Sequence, residues 1–84
     1  MKTQLDDQTS GSNFRIYSPA SLGLALRHYR REAGLSQAEL AELTGLNRTY
    51  LSALERGKET AQVKRLLRVL KQLGVRVTLE KADW

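Results

Sequence analysis

The sequence predicts an all-α domain organised around a helix-turn-helix, with a short C-terminal β-strand as a lid. Three observations predict it. Apolar residues recur at helical spacing in successive runs, each ended by a glycine. Two of those runs are only about eight residues long and lie three residues apart. The last apolar set, Val75, Val77 and Leu79, alternates with Arg76, Thr78 and Glu80 as a half-buried strand would.

The elements follow in order. Residues 1–13, MKTQLDDQTSGSN, are polar and cannot bury enough surface to offset their ordering entropy, so they read as a disordered tail and leave 14–84 as the folded domain. Phe14-Arg15-Ile16-Tyr17 alternates like a short strand. Ser18-Pro19 then reads as an N-cap followed by proline in the first turn, where its missing N–H costs nothing. Leu22, Ala25, Leu26, Tyr29 and Ala33 carry the 3.6-residue period of helix one, about 19–33, which Gly34 ends. Ser36-Gln37-Ala38-Glu39 is a capping box for helix two, about 37–44, stopped by Gly45. Asn47 caps helix three, about 48–56, ended by Gly57. Thr60 is suited to cap helix four, whose Val63, Leu66, Leu67, Leu70 and Leu73 form one apolar stripe up to Gly74.

Composition narrows the function. The chain has 84 residues, 40% of them hydrophobic and 27% charged, which suits one small globular domain. A domain this small is marginal alone, and dimerisation would help. No apolar run approaches the roughly 20 residues that span a bilayer, and a signal-peptide h-region is missing, so a cytoplasmic setting with no membrane partner is expected. Cysteine is absent and histidine occurs once, as His28, so thiolate or histidine-cluster metal sites and cysteine nucleophiles are excluded. No catalytic constellation, cofactor motif or metal set rises above chance, and no enzyme is expected. The net charge is +5, and the first thirteen residues hold one lysine and two aspartates, so the positive surplus resides in 14–84. A compact basic domain points to a polyanion, nucleic acid first.

The decisive pattern runs from Gln37 to Arg56. A helix of eight residues is too short to be stable alone and exists to be packed. Ala41 lets helix three cross closely, Gly45 allows the positive φ of a tight turn, and Leu40, Leu46, Leu51 and Leu54 supply apolar contacts. An ordinary helical bundle would share the apolar positions but would not require alanine, glycine and both caps at these spacings.

The string LSQAELAELTGLNRTYLSALERGK, residues 35–58, resembles the Cro/C1-type (XRE-type) helix-turn-helix of phage repressors. Ser36-Gln37, Glu39-Leu40-Ala41, Gly45, Leu51-Ser52 and Leu54-Glu55-x-Gly57 fall on that family's pattern. Thr44 departs from it, since a larger aliphatic residue is usual there. The resemblance implies a lambda-repressor-like fold. The flanks, with "IYSP" before helix one and "VTLE" near the terminal Trp84, are similar to HipB-type antitoxins. Those are homodimeric autorepressors that also neutralise a HipA-type serine/threonine kinase toxin.

In a helix-turn-helix the start of the second helix enters the major groove, which makes Asn47, Arg48, Thr49 and Ser52 the base-facing candidates. Arg48 suits guanine, Thr49 suits a thymine methyl or a base edge, and Asn47 serves first as a cap. For Ser52, otherwise a solvated serine, the resemblance favours contact. By resemblance Gln37, at the start of helix two, holds a DNA phosphate and braces the recognition helix. Arg56 and Lys58 read as phosphate contacts, which position without specifying. Tyr50 either packs on helix one or lies along the DNA backbone. The resemblance further implies a partly buried salt bridge between Arg30 and Glu55, a structural pair. His28 reads as a surface or interface residue. Lys64, Arg65, Arg68 and Lys71, opposite the leucine stripe, are a solubilising face or an electropositive patch for DNA flanks or an acidic partner.

The strand Val75–Glu80 has little company within one chain, and an uncovered strand edge is a liability. A two-fold mate, with Phe14–Tyr17 able to join, would cover it, placing Val75, Val77 and Leu79 at a dimer interface. The same symmetry sets two recognition helices about 34 Å apart on a palindromic site. Trp84 is either tucked against the core or free to dock a toxin. The sequence therefore reads as a homodimeric repressor of palindromic operator DNA and the antitoxin of a toxin–antitoxin module. The alternatives are a stand-alone regulator of the same family and a protein-interaction module that no longer grips DNA.

Overall fold

In a computed structural model of the chain, which describes residues 13–58 and 61–82, the order is β1 (Phe14–Ile16), α1 (Pro19–Glu32), α2 (Gln37–Thr44), α3 (Arg48–Glu55), α4 (Ala61–Gln72) and β2 (Val77–Leu79). The expected tail up to residue 12, the Thr60 cap and Trp84 lie outside the described residues. The fold is mainly helical, with a small antiparallel sheet.

Local chemistry sets each boundary. Ser18 and Ser21 cap α1 reciprocally: the Ser21 N–H donates to Ser18 Oγ at 3.1 Å, and the Ser18 N–H donates to Ser21 Oγ at 3.0 Å. The C-terminus of α3 closes in a Schellman arrangement, with the Gly57 N–H on the Leu54 carbonyl and the Lys58 N–H on that of Ala53, both at 3.0 Å. Gly57 adopts φ +76°, and a Cβ there would meet the Ala20 Cα at 3.0 Å, so the loop end rests on the first turn of α1.

The sheet corrects one expectation. β2 does find a partner within its own chain: β1 pairs with it in antiparallel register, Phe14 opposite Leu79 and Ile16 opposite Val77. These four side chains share one face, which packs on α1. Ile16 is only 5% exposed, the Phe14 ring lies 5.5 Å from that of Tyr29, and the Tyr29 hydroxyl donates to the Leu79 carbonyl at 3.3 Å. Val77 and Leu79 are therefore half-buried on the inner face, while Val75, before the strand, is exposed. The run Phe14–Ile16 thus covers one hydrogen-bonding edge of β2. His28 belongs to the same layer, its ring 4.9 Å from Phe14 and 5.1 Å from Tyr29, and so is half-buried.

The core is thin. Among the described residues its buried hydrophobic side chains are Ile16, Ala25, Ala41 and Leu51. Gly23 brings α1 and α3 to backbone contact: a Cβ there would fall 2.7 Å from the Glu55 carbonyl oxygen and closer still to that of Leu54. Of the apolar contacts expected around Ala41, Leu40 and Leu54 are half-buried and Leu51 is buried, but Leu46 is exposed in the turn. Ala33, expected on the apolar face of helix one, is its exposed C-cap. The leucine stripe of α4 is incompletely covered: no residue of α4 is buried, and Leu66, Val69 and, one residue past its end, Leu73 are exposed.

Candidate nucleic-acid interface

The two short helices are joined by a turn whose hydrogen bonds are all local. Ser36 Oγ accepts from the Glu39 N–H at 3.0 Å, and the Glu39 carboxylate accepts from the Ser36 N–H at 2.8 Å, the capping box that starts α2. Those bonds hold the Glu39 carboxyl below the usual carboxylate range. At the other end Gly45 takes φ +76°, and the Gly45 and Leu46 N–H groups both donate to the Ala41 carbonyl, at 2.8 and 3.1 Å. Thr44 explains itself here. Its hydroxyl donates to the Leu40 carbonyl at 2.9 Å and accepts from the Leu46 N–H at 3.3 Å, so it stitches the end of α2 to the turn where an aliphatic residue would only pack.

Asn47 starts α3. Its Oδ1 accepts from the Thr49 N–H at 2.6 Å and the Tyr50 N–H at 3.3 Å. A bidentate contact to adenine needs that same oxygen, so capping and full base readout compete at Asn47.

α3 has two unlike sides. Inward, Leu51 is 3% exposed and Glu55 is buried with it. The Glu55 carboxylate accepts from Arg30 Nε at 2.5 Å, from Arg30 Nη2 at 2.9 Å and from Gln37 Nε2 at 3.0 Å, while Arg30 Nη1 donates to the Leu35 carbonyl at 2.8 Å. One carboxylate thus ties α1, α2 and α3 together. The Arg30 hydrogen bonds hold the Glu55 carboxyl below its usual range, against the opposing effect of burial, and Gln37 adds to the lowering. The same bond raises the Arg30 guanidinium above its already high value.

Outward, Arg48, Thr49 and Tyr50 are exposed and Ser52 is half-exposed. Arg48, Ser52 and Arg56 follow at four-residue spacing, which places them along one edge of the helix. Arg56 Nη1 donates to Ser52 Oγ. Lys58, exposed, lies just beyond. Because the single acid of α3 is the buried Glu55, its accessible surface carries only positive charge.

The structure therefore gathers Arg48, Thr49, Ser52 and Arg56 on one open surface and leaves Lys58 at its end. Gln37 sits apart from that row, half-buried, with its amide on Glu55. Tyr50 stays on the surface of α3 and is not covered by α1. Gly23, whose backbone approach sets the seat of α3, was missed from sequence. Its signal was there: a glycine between leucines inside an otherwise regular helical run.

Comparison with known proteins agrees with this geometry. A family model described as helix-turn-helix matches residues 26–79. The chain is 40% identical over 65 residues to the uncharacterized HTH-type transcriptional regulator y4mF of Sinorhizobium fredii, a match that covers 77% of this chain and 86% of that one. It is 38% identical over 52 residues to the control protein C.SmaI of Serratia marcescens, covering 62% of each. It is 29% identical over 65 residues to the antitoxin HipB of Escherichia coli, covering 77% of this chain and 74% of HipB. No solved structure matches the chain.

Proposed function

The chain belongs to the Cro/C1-type helix-turn-helix family of transcriptional regulators, and from that premise we propose that it is a homodimeric repressor that binds a palindromic operator through α3. The observation that carries the reading is the charge sorting on α3: its one carboxylate is buried against Arg30, and Arg48, Thr49, Ser52 and Arg56 face outward. In the groove, Arg48 forks onto a guanine edge, with Thr49 and Ser52 beside it. Asn47 holds the helix start, and Arg56, Lys58 and Gln37 fix the register on phosphates. Repression follows from occluding promoter DNA. Such a chain acts in the bacterial cytoplasm, at the nucleoid, and needs no cofactor.

Two-fold pairing is supported by what one chain leaves uncovered. With Val77 and Leu79 half-buried toward α1, the apolar side chains left open for pairing are Val75 before β2, Leu66 and Val69 of α4, and Leu73 just beyond that helix. The domain is read as residues 14–84, a reading that the start of the first strand at Phe14 supports.

The test is fluorescence anisotropy on the promoter of the chain's own operon, for wild type, Arg48→Ala and Lys58→Ala. Arg48→Ala is expected to cost about 1–3 kcal/mol on the specific site and little on random DNA. Lys58→Ala should weaken both alike and flatten the salt dependence. Sequence-independent loss in Arg48→Ala would remove the base-reading assignment. Sedimentation of Leu66→Glu checks the pairing surface: a wild-type dimer that persists unchanged in the variant excludes this face of α4.

A second reading, that the repressor is also the antitoxin to a HipA-like kinase toxin, draws its support from the HipB relative over 77% of the chain. Trp84, outside the described residues, is the docking residue under that reading. The stand-alone regulator is the alternative, and the higher identity to the uncharacterized y4mF regulator is compatible with it. Co-purification with the product of the neighbouring reading frame separates the two.

A further inference from the structure

Between α4 and the sheet lies an open groove of about 890 Å³ that the DNA-reading surface does not use. It runs along β1 and the start of α1 on one side, and along α4 and the entry to β2 on the other. Its floor is apolar, formed by Ile16, Leu67, Leu70, Val75 and Val77. Its remaining charged lining is entirely cationic: Arg15, Lys64, Arg68, Lys71 and Arg76. Tyr17, 74% exposed, stands at the margin.

We propose that this groove is a docking site for an acidic, amphipathic segment of a partner protein. Each part of the lining narrows the occupant. Beside the already buried Ile16, the accessible Leu67, Leu70, Val75 and Val77 gain from desolvation, which a sugar–phosphate backbone does not provide, so nucleic acid fits the charged lining and not the apolar one. A second copy joined by two-fold symmetry would bring five cations against the same five, with no acid among the groove residues to offset them. The volume lies near the upper end of the range of about 300–1,000 Å³ for small-molecule sites, but the groove is open along its length, which suits an extended ligand more than a compact one. A helix with apolar anchors at i, i+3, i+4 and i+7 and carboxylates on its flanks satisfies both floor and rim. A tyrosine at the edge is a residue type favoured at binding hot spots. The groove shares no residue with the DNA-reading surface of α3, and its lining leaves out Leu66, Val69 and Leu73.

The test uses the full chain and a fluorescein-labelled synthetic peptide with leucines at i, i+3, i+4 and i+7 and glutamates elsewhere. A scrambled peptide of the same composition and a labelled DNA duplex serve as competing probes. Binding of the patterned peptide is expected, with the methyl resonances of Leu67, Leu70 and Val75 shifting on titration. Arg68→Glu combined with Lys71→Glu should weaken it about tenfold or more, while Arg65→Glu, on the same helix but outside the groove, should change it less than about twofold. Both variants alter exposed positions, and a far-UV spectrum identical to wild type establishes that they fold. Equal affinity for the scrambled peptide would overturn the proposal by showing a patch that holds any polyanion. Displacement of the peptide by the duplex, with the same groove resonances shifting, would assign the groove to DNA. A monomer–dimer equilibrium that shifts in the double variant while the patterned peptide fails to bind wild type would assign it to a second copy.

Discussion

Glu55→Gln tests the energetic centre of the fold. Glu55 and Arg30 have side chains only 3% and 10% exposed, and the carboxylate accepts three hydrogen bonds, two from Arg30 and one from Gln37. Glutamine preserves the volume but leaves the guanidinium buried beside a neutral amide. Removing one partner of such a pair costs about 3–5 kcal/mol. At about 0.05–0.15 kcal/mol per residue, a domain of this length has roughly 4–13 kcal/mol in total, so the loss is a large part of it. The acid dependence has a definite sign. The folded-state carboxyl is held below its ordinary value, mainly by Arg30. Its contribution is therefore complete above the unfolded value near about 4.3 and is lost as pH falls through the folded value. Glu39 is shifted in the same direction, so the acid limb of the wild type does not report on Glu55 alone. The difference between wild type and Glu55→Gln isolates Glu55. Urea melts followed by far-UV circular dichroism should show a gap of about 3–5 kcal/mol at neutral pH that narrows as the pH falls below the ordinary carboxyl range. A gap under about 1 kcal/mol at neutral pH, or one that persists undiminished in acid, would refute the ion pair as the anchor.

Two further substitutions address the seat of α3. Gly23→Ala should lower the melting temperature: the methyl gains about 1 kcal/mol of helix propensity but drives α1 from the Leu54 and Glu55 carbonyls, and overpacking costs about 1–3 kcal/mol. A variant that melts higher than wild type would show that the two helices have room to separate. Asn47→Ala removes the acceptor for the Thr49 and Tyr50 N–H groups and should cost about 1 kcal/mol in urea melts, with Asn47→Asp close to wild type. An equal loss in both would assign the residue's contribution to something other than its cap.

Most of the helical framework was legible in the residues because its punctuation is local. Ser18, Ser36 and Asn47 each satisfy backbone N–H groups within their own first turn, and Gly45 and Gly57 take the positive φ that a turn demands, so one stretch of sequence contains both the signal and its cause. What was not legible is non-local. The pairing of Phe14–Ile16 with Val77–Leu79 joins segments separated by the whole helical array, and three alternating residues at each end carry no mark of which edge they seek. The same holds for the outcome on α4. Its stripe has the cleanest helical period in the chain, yet periodicity states only that a face is apolar, and in the single chain Leu66 and Leu73 remain in the open. On the candidate interface, the exposure of Arg48 and Thr49 followed from the pattern. The bond from Gln37 to Glu55 has no counterpart in local sequence, and only the family resemblance pointed to it.

That bond also decides what the polar network is for. With so few large buried side chains, the angle of α3 against α2 is held less by apolar bulk than by Glu55, which meets Arg30 from α1 and Gln37 from α2. Replacing the pair by Arg30→Met with Glu55→Leu separates stability from orientation. Apolar isosteres of buried ion pairs are often neutral or stabilising by about 1–4 kcal/mol, so the double variant should recover most of what Glu55→Gln loses. Gln37, however, then has no acceptor on α3, and a recognition helix free to rock by a small angle places Arg48 out of fork geometry with a base edge. The expected result is a protein that melts near wild type but binds its operator at least about tenfold more weakly, with its affinity for random DNA unchanged. Full recovery of operator affinity together with stability would mean that the carboxylate only holds the fold together and that apolar contact at Leu51 is enough to aim the helix.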